Sequence, residues 1–562
     1  MGEAMTEESR GIGRRGLLAG TAAVAAGAAI AVETGATPAA AAGTATVPTF
    51  GPVAVTPANQ QYAELTHGVN RRYVSNPEAV VLVDDTTQVA PVVQQAVRAG
   101  KRFTVRSGGH CLEDFVDNPA VQGVLDLSRL NKVYWDADRK AFAVESGARL
   151  LDVYDLLYDV YGVTVPAGIC YSVGAGGHVT GGGWGLLCRQ FGLVIDYLYA
   201  VEVVVVDATG TARTIVATRE ANDPNRELWW AHAGGGGGNF GVVTRFWFRS
   251  PTSDGSDPKT ALPKPPSSVL LQALSWNWAD LDATKFKRLI QNYGSWFTAN
   301  SAPGSAGCAL ASFMVLNHVS NGAIGMVVNV DATVPNASGL LNSYLQAISA
   351  GVGVTAGAMT RDMGEFSAMA HLAAPRKLPW LEATRYLSVT NPRLTDPTLR
   401  ADYKSAYMRT TFPDSHAAAL YAQLTRTDFT NPDASITLSS YGGEVNRVAP
   451  SATAYPHRES FYKLMWMSLW NDPSADAANI AWNRDSYRAV YAATGGVPVP
   501  NNVTDGCYVN YPDIDLNDPN QNQSGVPWST LYYKGNYARL QQVKKTYDPA
   551  NVFRHSQSIA LP

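Results

Sequence analysis

Several chemistries are missing from this chain of 562 residues. Its nine histidines form no H-E-x-x-H run and no close pair of ligands, so no metal site is expected. No G-x-S-x-G elbow and no P-loop occurs, and hydrolase and nucleotidase readings fall with them. The absence of heptads and internal repeats argues against a coiled coil or a solenoid. Net charge is only -3, with a pI near 6.3, which supplies no general attraction for nucleic acid or anionic membrane. Cysteine is scarce: Cys111, Cys170, Cys188, Cys308 and Cys507 make an odd count, so at least one thiol stands outside any disulfide.

What is present begins with a leader. Arg14-Arg15-Gly16-Leu17-Leu18 precedes an Ala-rich run and then Ala39-Ala40-Ala41-Ala42, the order of charged region, apolar region and small-residue cleavage site. The run is too short and too weakly apolar to span a bilayer comfortably. The arginine pair resembles a twin-arginine signal, which exports proteins already folded around a cofactor. Residues 1–42 are therefore expected to be a signal peptide, and the mature chain to be secreted without a membrane anchor.

So long a chain exceeds one core, and two domains are the default. A β-branched run at 79–83, helical spacing over 87–99 stopped by Gly100, and a strand at 103–105 read as a βαβ unit. Such a unit offers a ligand-binding turn at the C-terminal end of its last strand. Strands follow at 124–127, 141–144, 201–206 and 242–248, with helices at 150–158 and 227–233. A Pro-, Ser- and Asp-rich stretch, 250–268, reads as a linker. Beyond it, strands at 269–274, 310–316, 325–330, 436–441 and 464–470 alternate with amphipathic stretches at 283–297 and 340–348. The fold class expected is α+β.

Two glycine-rich turns carry the chemistry. One is Arg106-Ser107-Gly108-Gly109-His110; the other runs from Gly168 through Cys170 and Gly174 to Gly176-Gly177-His178. Glycine lets backbone N–H groups approach a pyrophosphate with no Cβ in the way, and each turn sets one nucleophile at the ligand's edge. Gly181-Gly182-Gly183-Trp184-Gly185 adds glycines that a helix or strand interior would disfavour by about 0.5–1 kcal/mol each. Gly236-Gly237-Gly238-Asn239-Phe240-Gly241 matches G-x-G-x-x-G literally, but a helix precedes it and the strand opening at Val242 follows. A Rossmann site needs the reverse order, so this is a loop beside a cofactor and not a nicotinamide site.

On these turns the chain resembles the berberine-bridge-enzyme-like flavoproteins of the vanillyl-alcohol-oxidase superfamily, from about Val80 to the C-terminus. The resemblance implies FAD bonded covalently through both His110 and Cys170, with Arg106, Ser107, Gly108, Gly109, Gly174, Gly176, Gly177, His178, Gly238, Asn239, Gly241, Val242, Tyr508 and Asn510 around it. It further implies that Tyr511, in Tyr508-Val509-Asn510-Tyr511-Pro512-Asp513, is the base that takes a substrate hydroxyl proton, and that Tyr441 faces the flavin as a second acid/base or a wall. It also implies a two-domain flavin-binding fold of that superfamily's type: an FAD-binding domain at 43–261, an inserted α+β substrate domain on an antiparallel sheet at 262–503, and a segment at 504–562 returning to the first.

The tail from Ser524 to His555 is most similar to that of oxidases tailoring glycosylated antibiotics. The expected reaction is hydride transfer from a sugar or secondary alcohol of a bulky glycosylated natural product, or an oligosaccharide, to FAD, with O2 as acceptor and H2O2 as product. Oxidative cyclisation forming C–C or C–N bonds on the same fold is the alternative enzyme class. An exported sugar-binding protein with purely structural glycines is the non-enzyme one.

Overall fold

Seventeen strands fall into three sheets in the computed structural model, which describes residues 50–388 and 390–562. The expected signal peptide at 1–42 lies outside the described residues. The first sheet holds β1 (Val53–Val55), β2 (Ala79–Leu82), β3 (Phe103–Arg106) and β4 (Gly123–Asp126) in the order β1-β2-β4-β3. β2, β4 and β3 run parallel, joined by the helix Val89–Arg98, so the βαβ reading holds and β4 slots between its two strands. The second sheet is antiparallel: β5 (Val133–Asp136), β6 (Ala141–Glu145), β7 (Leu198–Val206), β8 (Ala212–Thr218) and β9 (Val242–Phe248), in the order β5-β6-β9-β7-β8.

β7 explains why the two sheets stay together. Its near-continuous valines are buried on both faces, and successive side chains point opposite ways. Val203 and Val205 enter the main core, while Val204 and Val206 join Val83, Val89, Val93, Leu125 and Phe553 beneath the Val89–Arg98 helix.

The third sheet is antiparallel and lies entirely between residues 268 and 470. It comprises β10 (Ser268–Asn277), β11 (Leu310–Asn317), β12 (Ala323–Asp331), β13 (Gly357–Ala358), β14 (Arg376–Pro379), β15 (Arg400–Met408), β16 (Ala434–Ser440) and β17 (Tyr462–Trp470). The path is β13-β10-β12-β11-β16-β17-β15, with β14 on β10. One face of β15 and β17 presents Tyr403, Met465 and Met467 toward Leu112, Leu394 and Tyr511, and the helix Asp476–Val490 covers the other. The helix Ala283–Ala299 packs on β11 and β16, with Tyr293 Oη 2.9 Å from Ser312 O and 3.2 Å from Leu438 O. The α+β architecture is as expected.

Local differences have local causes. The helix starting at Leu150 is α only to Asp155 and continues as a π turn, Leu156–Val160. The 250–268 stretch is a closed loop: Ser250 N–H donates to Ala261 O at 2.7 Å, and Ala261 and Leu262 are buried. All five cysteines are free thiols.

The C-terminal helix Tyr537–Tyr547 is pinned by Lys544, which is fully buried. Its ammonium donates to Asp548 at 2.6 Å, Asn239 O at 2.7 Å and Phe553 O at 2.5 Å. Removing one member of such a buried pair leaves the other uncompensated. Lys544→Met should therefore lower unfolding free energy by about 3–5 kcal/mol in urea titration.

Candidate active site

The two glycine turns meet directly. A Cβ on Gly108 would lie 2.3 Å from Gly174 N, and one on Gly174 would lie 2.2 Å from Ser107 Oγ and 2.4 Å from Gly108 N. Only two glycines allow this approach. The contact is fastened by Ser146, whose carbonyl accepts from Ser107 Oγ at 2.6 Å and from Gly176 N–H at 2.8 Å. Across it, His110 Nε2 lies 3.0 Å from Ser172 Oγ.

Beside this junction opens a cavity of about 390 Å³. It is lined by both turns, the Gly236–Gly241 loop, the Tyr508–Pro512 segment and the last residues around His555. Its chemistry fits a dinucleotide with a reactive ring. A Cβ on Gly177 would meet nothing within 4 Å, and one on Gly237 only Thr180 Oγ1 at 3.3 Å, so bare backbone faces the space. Two nucleophiles, His110 and Cys170, open onto the same cavity. Burial, with the Arg149 cation adding to it, pushes the His110 imidazole down to about 4, so it is neutral and carries a free lone pair. Burial first, then the Glu365 carboxylate, pushes the Cys170 thiol up, and its Sγ donates to Glu365 Oε1 at 3.6 Å.

The glycine loops are held from behind. Asn239 Nδ2 donates to the carbonyls of Gly235 (3.0 Å), Gly236 (3.2 Å) and Gly237 (3.3 Å), and its Oδ1 accepts from Ile559 N–H at 2.9 Å. The helix Arg226–His232 precedes this loop and β9 follows, as the sequence indicates. Asn510 Nδ2 donates to His178 O at 3.0 Å and to the Tyr508 hydroxyl at 3.2 Å. Gly181 packs so closely on Asn510 that a Cβ would meet Oδ1 at 1.9 Å. His178 Nε2 accepts from Gly168 N–H at 3.1 Å, which puts its proton on Nδ1; burial and the nearby Lys463 hold it down to about 4. Arg106 lines the cavity, but its guanidinium is committed to Asp126, its register partner on β4, at 2.7 Å. It secures the turn and is not free for a phosphate.

Of the residues expected from sequence, His110, Cys170, Arg106, Ser107, Gly108, Gly109, Gly174, Gly176, Gly177, His178, Gly238, Asn239, Gly241, Val242, Tyr508, Asn510 and Tyr511 all line this one cavity. Tyr441 does not. β16 stops at Ser440, and left-handed Gly442 (φ 81°) and Gly443 (φ 64°) turn the chain away. The Tyr441 side chain enters the core, its hydroxyl donating to Tyr455 Oη at 3.0 Å and lying 3.1 Å from His457 O. Tyr455 packs against Gly182 and Gly234, so Tyr441 sits behind the loop layer. Glu444 and Arg447 pair with each other on the surface.

Sequence reasoning missed Lys463 and Glu365. Lys463, fully buried on β17, donates to Tyr511 Oη at 3.2 Å and lies over the rings of Trp184 (3.6 Å), Tyr511 (4.4 Å) and Tyr508 (4.8 Å). Burial among these rings, only partly offset by Glu365, pushes its ammonium down to about 7. A lysine in the apolar run Tyr462-Lys463-Leu464-Met465-Trp466 was the available signal. Glu365 sits in the tight Met363–Phe366 turn, where nothing local marks it.

The chain matches the family described as "Berberine and berberine like" over residues 507–560 and "FAD binding domain" over residues 77–215. It is 46% identical to aclacinomycin-N/aclacinomycin-A oxidase of Streptomyces galilaeus over 90% of this chain and 89% of that protein. A solved flavoenzyme of caerulomycin biosynthesis superimposes with a TM-score of 0.86 at 45% identity, covering 91% of this chain and 99% of that one. A glycopeptide hexose oxidase complexed with teicoplanin gives 0.84 at 44% identity over 92% and 100%.

Two substitutions separate loop packing from ligand space. Gly174→Ala must force the turns apart and should cost about 1–3 kcal/mol of stability. Gly177→Ala, with open space ahead of its Cβ, should leave the melting temperature of the cofactor-free protein unchanged while lowering flavin content, read from visible absorbance per protein.

Proposed function

The chain belongs to the berberine and berberine-like family of FAD-linked oxidases, acting on CH–OH groups with oxygen as acceptor, and on that premise we propose that it holds one FAD bonded to both His110 and Cys170 and oxidises a hydroxyl of a bulky glycosylated molecule. The observation that carries this reading is that two nucleophilic side chains, from turns sixty residues apart, open onto one backbone-lined cavity. When bound, the flavin ring supplies the hydride acceptor and returns the electrons to O2 as H2O2.

The protein's own share is positioning and proton transfer. His110, neutral and hydrogen-bonded across to Ser172, is a competent nucleophile for one attachment. Arg106, Asn239 and Asn510 hold the loops that cradle the dinucleotide, with Asn239 tied to the C-terminal segment. We assign residues 43–261 and 504–562 to this flavin-holding part and 262–503 to the substrate part.

Oxidising an alcohol leaves an O–H proton, which needs a positioned acceptor. Tyr511 is that group. Burial raises its phenol well above the ordinary range, so it cannot act as a standing phenolate. Lys463 resolves the difficulty: as Tyr511 Oη accepts the substrate proton, it passes its own to the neutral Lys463 amine 3.2 Å away. The cage of Trp184, Tyr508 and Tyr511 rings then receives the ammonium by cation–π attraction.

Anchoring the cofactor at two points suits a wide site. The similar proteins named as an aclacinomycin oxidase and a glycopeptide hexose oxidase support a sugar or secondary-alcohol substrate on a large scaffold. Export follows from the leader, by the twin-arginine route; among the described residues no helix is long and apolar enough to cross a membrane.

In oxygen-consumption assays on glycosylated polyketides and oligosaccharides, one H2O2 per carbonyl formed is expected; an unchanged alcohol with every substrate class would defeat the reading. Tyr511→Phe should keep its flavin and lose about 10²–10⁴ in kcat. Because Lys463 accepts a proton only when neutral, kcat/KM should rise as pH passes upward through about 7. Lys463→Met should abolish that limb.

A further inference from the structure

The Glu365 carboxyl makes one side-chain hydrogen bond among the described residues, and its partner is Cys170 Sγ at 3.6 Å. Both groups line the cavity. Glu365 comes from the Met363–Phe366 turn on the substrate side of the molecule, whereas Cys170 belongs to the glycine turns. The two segments are locked together. Asn391 N–H donates to Glu365 O at 3.3 Å and its side-chain amide to Gly364 O at 2.7 Å, while Ser388 Oγ, three residues earlier, donates to Ile169 O beside Cys170. Asn391 thus holds the turn that carries the carboxylate, and Ser388 holds the backbone next to the sulfur.

A thiol cannot attack a ring carbon; its thiolate can, and something must take the proton. We propose that Glu365 is the base that activates Cys170 for its own attachment to FAD. The inference rests on the doubly bonded flavin above and deepens it. Glu365 Oε1 accepts the S–H proton, the sulfur forms a bond to ring carbon 6, and the hydrogen on that carbon leaves as a proton. The electron pair freed by that loss remains on the ring, which becomes reduced by two electrons. Dioxygen, the acceptor of the family's reaction, takes the two electrons and two protons as H2O2 and restores the oxidised ring. One O2 is consumed per thioether formed.

His110 needs no such help. Its imidazole is already neutral, and Glu365 is not among its hydrogen-bond partners. The two attachments therefore have separate requirements: the histidine bond needs only the glycine turns, while the cysteine bond needs the substrate half docked on them.

The test follows each bond separately. Cofactor-free protein is mixed with FAD in air, denatured at intervals and treated with iodoacetamide, and the peptides spanning positions 110 and 170 are weighed. Wild type should lose alkylatable Cys170 as the joined peptides appear. Glu365→Gln should bond flavin to His110 at the wild-type rate, which also proves that it folds, yet form the thioether about 10²–10⁴-fold more slowly. Raising the pH should speed the slow step in the variant, because the thiolate fraction of a thiol that burial holds up climbs with every pH unit. Equal thioether rates in wild type and Glu365→Gln would overturn the inference while leaving the double attachment intact. Wild type whose Cys170 stays alkylatable would overturn the double attachment itself. Should Glu365→Gln not bind flavin, Glu365→Asp decides: slower thioether formation supports the role, and an unchanged rate removes it.

Discussion

The backbone contact between Gly108 and Gly174 is the constraint on which the site depends. With no Cβ at either position, two turns from distant parts of the chain touch, amide to amide, and share the Ser146 carbonyl as a common acceptor. That contact sets His110 and Cys170 at the rim of one cavity. The β3–β4 pair ends at the same point, where Arg106, the first residue of the turn, closes onto Asp126. A larger residue at either glycine would force the turns, and with them the two nucleophiles, apart.

Burial then decides what each polar group can do. The same low-dielectric surroundings that push His110 down to about 4 push Lys463 down to about 7 and raise the Cys170 thiol and the Tyr511 phenol. For these four groups the neutral form is favoured. A neutral imidazole is the form that attacks, and a neutral amine is the form that accepts a proton. Lys463 reaches this position through the two-residue period of β17, which places it on the face that also presents Met465 and Met467 toward Tyr511. The third sheet therefore does more than roof the cavity: it supplies the amine, and its connecting turn supplies Glu365.

The glycine turns were legible because their requirement is local: a run of glycines ending in His or Cys has few structural uses. β2, β3, β4, β6, β7 and β9 were legible for the same reason, since each carries a short run rich in apolar, β-branched or aromatic residues; β1, β5 and β8 were not read as strands. β15, Arg400–Met408, was not read as a strand. Asp402 and Lys404 interrupt it, and both are satisfied only by distant partners, Arg72 and Asn483 for Asp402, Asp513 and Asp515 for Lys404. Lys463 was lost when its strand was started two residues late. Tyr441 was misplaced because its strand was recognised while the glycine pair after it was not read as a turn that buries its side chain. Each miss involves a residue whose environment is assembled from parts of the chain far away in sequence.

The central claim is that a single flavin bridges the two turns. Mass spectrometry of a protease digest of the purified, acid-precipitated protein tests it most directly. The account predicts that the yellow colour stays with the precipitate and that the peptides containing His110 and Cys170 travel as one species, joined through one FAD. Colour released into the supernatant, or two separate unmodified peptides, would contradict it.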